Sequence, residues 1–145
     1  MKPKSYRRKA SHPPKQANKK ATSDPLATQV VQQVLAELPE LMAVAVVDVA
    51  SGTSLAAHAT TAIDPDTAAS FNAEVVKLKQ KAMAALQLVD EQLDDILVTL
   101  SSQLHLLQLT PDGNRFIYLV VGAQSTNLGM ARAVLREQIS RLEVQ

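Results

Sequence analysis

Apolar positions along the chain switch between a helical and an extended rhythm, and the switches mark out eight elements. Asp24-Pro25 has the form of a helix start, with an Asp cap followed by Pro at the first helical position. Leu26, Val30, Val34 and Leu38 then recur at four-residue steps, one stripe of an amphipathic helix that Pro39 ends. From Leu41 to Val49 the residues are apolar and β-branched and too short a run for a helix between breakers, which predicts a buried strand ending near Asp48. Ser51-Gly52 supplies a turn, and Thr53 to Ala59 reads as a weaker second strand in a hairpin with the first.

Asp64-Pro65 repeats the capping signal. Phe71, Val75, Leu78, Ala82, Leu86 and Val89 follow at helical spacing, predicting a helix of about 22 residues with Lys77, Lys79 and Lys81 elsewhere on it. This stripe is expected to cover the sheet, and at the same time to meet another subunit. The alanines at 68, 69, 73, 82, 84 and 85 allow close approach to a neighbour. After Asp94-Asp95, Ile96 to Leu100 reads as a strand, Ser101-Ser102 as a short turn and Leu104 to Leu109 as the next strand. Thr110-Pro111-Asp112-Gly113-Asn114 is a strong turn signal, Phe116 to Val121 a fifth strand. Ser125 or Thr126 is placed to cap a last helix striped by Leu128, Ala131, Leu135, Ile139 and Leu142. The order α-β-β-α-β-β-β-α, with hairpin connections, predicts an α+β fold: a five-stranded antiparallel sheet with three helices on its faces.

Charge divides the chain in two. Residues 1–23 hold eight of the 15 basic side chains and no acid, whereas the remainder holds the other seven against all 14 acids. With three prolines and almost no large apolar side chain, 1–23 is expected to be a disordered basic tail preceding a single domain, 24–145. Such a tail suits a solubilising extension, an arm for nucleic acid or an anionic membrane, or a contact with the acidic body. Arg7, Arg8, Lys9, Lys19 and Lys20 are its candidate polyanion contacts. The 46% hydrophobic content is ordinary for a globular chain, and the longest uncharged apolar run is far too short to span a bilayer. A soluble, cytoplasmic protein is expected.

Candidate chemistry is thin. The chain has no cysteine, which excludes disulfides, thiolate metal sites and a cysteine nucleophile. Its four glycines form no phosphate-binding loop, and His12, His58 and His105 fit no metal spacing. Asp48, Ser54 and His58 could be imagined as a triad, but there is no nucleophile elbow around Ser54. Adjacent strand residues such as Asp94 and Asp95 point to opposite faces, a poor acid–base pair and a better guard at a strand end. We expect no catalytic residue, cofactor, metal or small-molecule substrate.

Three stretches together resemble the Roadblock family of dynein-light-chain-like, GTPase-regulating proteins. They are Leu38-Pro-Glu-Leu-Met-Ala-Val-Ala-Val-Val-Asp-Val-Ala-Ser-Gly-Thr, the long helix running into Leu93-Asp-Asp-Ile-Leu-Val-Thr, and Phe116-Ile-Tyr-Leu-Val-Val followed by Ser125-Thr-Asn-Leu-Gly-Met-Ala-Arg. Met42 departs from the pattern where many members carry Gly, and the basic tail is extra. The resemblance implies a Roadblock/profilin-like sheet sandwiched by helices. It also implies a homodimer or heterodimer joined through the third strands and middle helices. The role implied is that of a scaffold or regulator of a small Ras-like GTPase in motility, polarity or signalling, not of an enzyme. On that basis Val75, Leu78, Ala82, Leu86, Ile96, Val98 and Leu100 are the candidate dimer interface. The third strand is apolar on both faces, as expected of a strand inside a sheet, so a second copy is expected to cover its edge. A proline at Val98 is expected to remove a hydrogen bond at that seam.

Overall fold

A computed structural model of the chain describes residues 24–60 and 62–143. The elements are α1 (Pro25–Glu37), β1 (Ala43–Asp48), β2 (Ser54–Ala59), α2 (Pro65–Ala85), β3 (Asp95–Thr99), β4 (Gln103–Leu109), β5 (Arg115–Gly122) and α3 (Leu128–Glu143). They follow the expected order, with strand ends displaced by a residue or two. Their starts are set by side-chain caps that satisfy otherwise unpaired amide groups. The Asp24 carboxylate accepts from the Leu26 and Ala27 N–H groups, and Asp64 accepts from the Asp66 N–H and the Thr67 hydroxyl. The cap of α3 differs from expectation. Asn127, not Ser125 or Thr126, accepts the Met130 N–H at 2.9 Å, and the helix opens at Leu128.

The sheet is antiparallel throughout in the order β2-β1-β5-β4-β3. β1 and β5 lie in the interior and are buried on both faces, which is why their sequences are continuous apolar runs. Val44, Val46, Ile117, Leu119 and Val121 pack under α1 and α3, while Ala43, Ala45, Val47, Phe116, Tyr118 and Val120 pack toward α2. Gly113, with φ +74°, makes the turn between β4 and β5 that a side chain would strain.

The end of α2 is unusual. Gln87 adopts the left-handed conformation at φ 61°, and the chain reverses through bonds from Gln87 N–H to Ala84 O and from Leu88 N–H to Met83 O. That pair of bonds is a Schellman stop, here built with glutamine where glycine is usual. It turns the chain before Val89, so the expected stripe runs past the end of the helix. Among the described residues no helix is long and apolar enough to cross a membrane.

Candidate interaction surface

Helix α2 presents its small residues, not its large ones, to the sheet. Ala69, Ala73 and Val76 are fully buried, and their short side chains let the helix lie close to the strands beneath. Polar ties fix its rotation: Lys77 Nζ donates to Ala50 O at 3.1 Å and Gln80 Nε2 to Gly113 O at 3.2 Å. The stripe of Phe71, Val75, Leu78 and Leu86 is consequently turned away from its own sheet. Phe71 is 71% exposed, Leu78 67% and Leu86 65%. The expectation that this stripe covers the sheet is therefore corrected: the alanine face does that, because only it permits the close approach. A surface stripe of large apolar side chains at helical spacing is the kind of feature that marks an interaction site.

On the same side of the sheet, β3 forms an edge. Ile96 packs into the layer under α2, Leu97 into the opposite layer, and Val98 and Leu100 are largely exposed. Of the seven candidate interface residues, Val75, Leu78, Leu86, Val98 and Leu100 are exposed and Ala82 and Ile96 half-buried. Phe71 lies one turn before Val75 on the same stripe. Its spacing places it on this surface, although the candidate interface set lacks it.

The hairpin geometry decides which backbone groups this edge offers. Leu100 N–H bonds Gln103 O, and Leu109 N–H bonds Asp94 O. With the register Ile96↔Leu107 and Val98↔His105, residues 94, 96, 98 and 100 direct their backbone groups at β4. Asp95, Leu97 and Thr99 direct theirs outward. A proline at Val98 would therefore break the β3–β4 ladder and not the seam, a correction to the sequence-based expectation.

Beneath the edge runs a chain of polar side chains that the sequence did not reveal. Tyr118, buried in β5, is hydrogen-bonded to Asn72 of α2 and lies 3.3 Å from Nδ1 of His105, whose Nε2 is 2.9 Å from Gln103 Oε1. The two rings meet edge to face, with centroids 5.7 Å apart. Burial holds the His105 pKa below its ordinary value and pushes the Tyr118 phenol up. Both groups are thus kept neutral around pH 7.

The aspartate pair is also divided by environment. Arg132 of α3 grips Asp95 with two bonds, Nε to Oδ2 at 3.0 Å and Nη2 to Oδ1 at 3.1 Å, and Arg136 approaches to 3.9 Å. Asp95 is therefore an anchor between β3 and α3, where a solvated strand-end guard was expected. Beside it, Lys79, Met83, Leu88, Leu93 and Asp94 help line an open cavity of about 650 Å³.

The imagined triad does not assemble. The Asp48 carboxylate is engaged by the N–H and hydroxyl of Ser51, and Ser54 donates to Ala56 O, so neither is arranged toward His58 as a triad requires. The candidate polyanion contacts Arg7, Arg8, Lys9, Lys19 and Lys20 lie outside the described residues.

This arrangement of sheet, edge and covering helices is the fold of Roadblock/LC7 domains. Among solved structures, MglB of Myxococcus xanthus matches with a TM-score of 0.66 at 18% identity, over 81% of this chain and 85% of that one. A Roadblock/LC7 domain from Streptomyces avermitilis matches at 0.64 and 15% identity, over 83% and 93%. The gliding protein MglB of Thermus thermophilus matches at 0.65 and 16% identity, over 81% and 86%. No family model and no curated protein matches the sequence. At these identities the likeness is one of fold, and it agrees with the resemblance carried by the three sequence stretches.

Proposed function

We propose that this protein is a non-enzymatic, homodimeric scaffold or regulator that binds a small Ras-like GTPase. The observation that carries the reading is the α2 stripe of Phe71, Val75, Leu78 and Leu86, exposed on the same side of the sheet as the apolar residues of edge strand β3. Large apolar side chains are costly to leave in water and are stabilised when a partner buries them. The fold shared with MglB, a gliding protein, supports assigning that partner to GTPase-linked motility or polarity. A cytoplasmic location is part of the same proposal.

Two measurements test it. Light scattering of the full chain at micromolar concentration is expected to report about twice the 15.6 kDa chain mass. Small Ras-like GTPases loaded with GDP or a non-hydrolysable GTP analogue are expected to be retained by the protein in one nucleotide state only. Leu78→Ser is expected to weaken that retention at least fivefold. Equal retention of both states, or of neither, rejects the GTPase assignment.

A further inference from the structure

A second surface lies on the other face of the sheet from α2, where the end of α1 meets the start of α3. There a groove of about 240 Å³ has an apolar floor of Leu38, Leu41 and Val121, with Met130 standing 59% exposed beside it. The charged residues along this groove are Glu37 and Glu40, both exposed, and none of its lining is basic. Among the described residues neither carboxylate has an ion-pair partner, and the hydrogen bond that Glu37 accepts comes from the neutral amide of Gln33. The last turn of α1 holds no basic residue, so the negative end of the helix dipole adds to these two charges. The groove therefore favours an apolar side chain accompanied by positive charge.

We propose that the chain's own Tyr6-Arg7-Arg8 segment occupies this groove, with the Tyr6 ring against Leu38, Leu41 and Met130 and the two arginines at Glu37 and Glu40. The segment lies outside the described residues, and its assignment rests on chemistry and reach. Tyr6 is the only aromatic residue of 1–23 and is followed directly by three bases, so one short stretch supplies both the ring and the charge. Small-molecule sites fill about 300–1,000 Å³, and this smaller groove suits a single side chain. Reach is sufficient. The groove is one length of α1 from Asp24, roughly 20 Å for a helix of 13 residues. About 18 residues separate Tyr6 from Asp24, and a flexible chain of that length has an r.m.s. span of about 20–25 Å, which like charge extends. Tethering at that range gives an effective concentration of about millimolar, which an untethered basic peptide would have to match. Of the roles open to the basic segment, this one is the contact with the acidic body. It is independent of the proposed dimer, whose surfaces on α2 and β3 it leaves uncovered.

Trypsin tests the contact in the full chain, because 1–23 carries its own control sites. Initial cleavage after Arg7 and Arg8, resolved by mass spectrometry, is expected to be at least fivefold slower than cleavage after Lys19 and Lys20. Glu37→Gln/Glu40→Gln, a neutral change at exposed positions, is expected to raise cleavage after Arg7 and Arg8 at least threefold relative to Lys19 and Lys20. Half-molar sodium chloride is expected to do the same, since exposed charge pairs are screened. The absence of cysteine allows a second measurement at the groove itself. The thiol of Met130→Cys is expected to react with dithionitrobenzoate at least threefold more slowly than that of Met130→Cys/Tyr6→Ser. A cleavage ratio unchanged by Glu37→Gln/Glu40→Gln overturns the assignment, and so do equal thiol rates. Protection that rises with protein concentration puts the segment on another copy, which also overturns it.

Discussion

The two edges of the sheet are treated in opposite ways. At the β2 edge the chain closes its own exposure: the Asp24 N–H donates to Leu55 O at 3.2 Å, and both α1 and α2 pack against the strand. An irregularity between Val46 and Val47 further breaks the regularity of that side. Irregular and covered edges are the devices by which sheets avoid unwanted pairing. At the β3 edge none of this is seen among the described residues. The strand is regular, its outward side offers Asp95, Leu97 and Thr99, and its Val98 and Leu100 side chains are exposed. The proposed dimer rests on this difference between an edge the chain closes and one it leaves open.

The comparison can be broken by backbone substitution. Val98→Pro removes an N–H that bonds β4 and is expected to cost roughly 2–4 kcal/mol, lowering the urea midpoint strongly. Leu97→Pro removes an outward N–H and is expected to cost less than half as much in the monomer while abolishing the dimer mass. Similar losses from both would mean that the outward and inward assignments are wrong. On the closed side, Asp24→Ala removes the cap of α1 and is expected to cost about 1 kcal/mol in urea unfolding, without changing oligomeric mass.

Smaller effects sharpen the contrast. Gln87→Gly relieves the left-handed residue that turns α2 toward β3, and is expected to add about 0.5–1 kcal/mol to the stability read from urea curves. For His105, the folded-state pKa lies below its unfolded value, so the unfolded chain binds more protons as pH falls through 6.5. Stability is therefore full above that value and declines toward pH 5, and His105→Gln is expected to flatten this part of the profile. Thr99→Lys guards the open edge and is expected to alter monomer stability by no more than about 0.5 kcal/mol while reducing the mass in light scattering to that of one chain.

Much of the fold was legible because local and global signals coincide. Asp24-Pro25 and Asp64-Pro65 are caps in sequence and in structure, and the continuous apolar runs of β1 and β5 belong to strands buried on both faces. The orientation of α2 was not legible. Two stripes share that helix, and hydrophobicity alone favours Phe71, Val75 and Leu78 over Ala69 and Ala73; the choice is made by how closely the backbone must approach the sheet. Register explains the misassigned proline at Val98, since alternation gives the face of a side chain but not the direction of its N–H. The Asn72–Tyr118–His105–Gln103 chain and the Arg132 grip on Asp95 join residues distant in sequence, and no short motif announces either. The Gln87 stop was hidden for a different reason: glutamine carries no turn signal.

The placement of Tyr118 gives the protein an internal optical reporter. The chain has no tryptophan and two tyrosines, Tyr6 in the basic segment and Tyr118 in the sheet. In a Tyr6→Phe variant, all intrinsic tyrosine emission comes from a phenol lying 3.3 Å from the His105 ring nitrogen and contacting α2 through Asn72. Its intensity therefore responds to the proton carried by that imidazole and to any displacement of the helix. Partner binding and acid titration can then be followed in the unlabelled protein, from a fluorophore placed by the fold beneath the open edge.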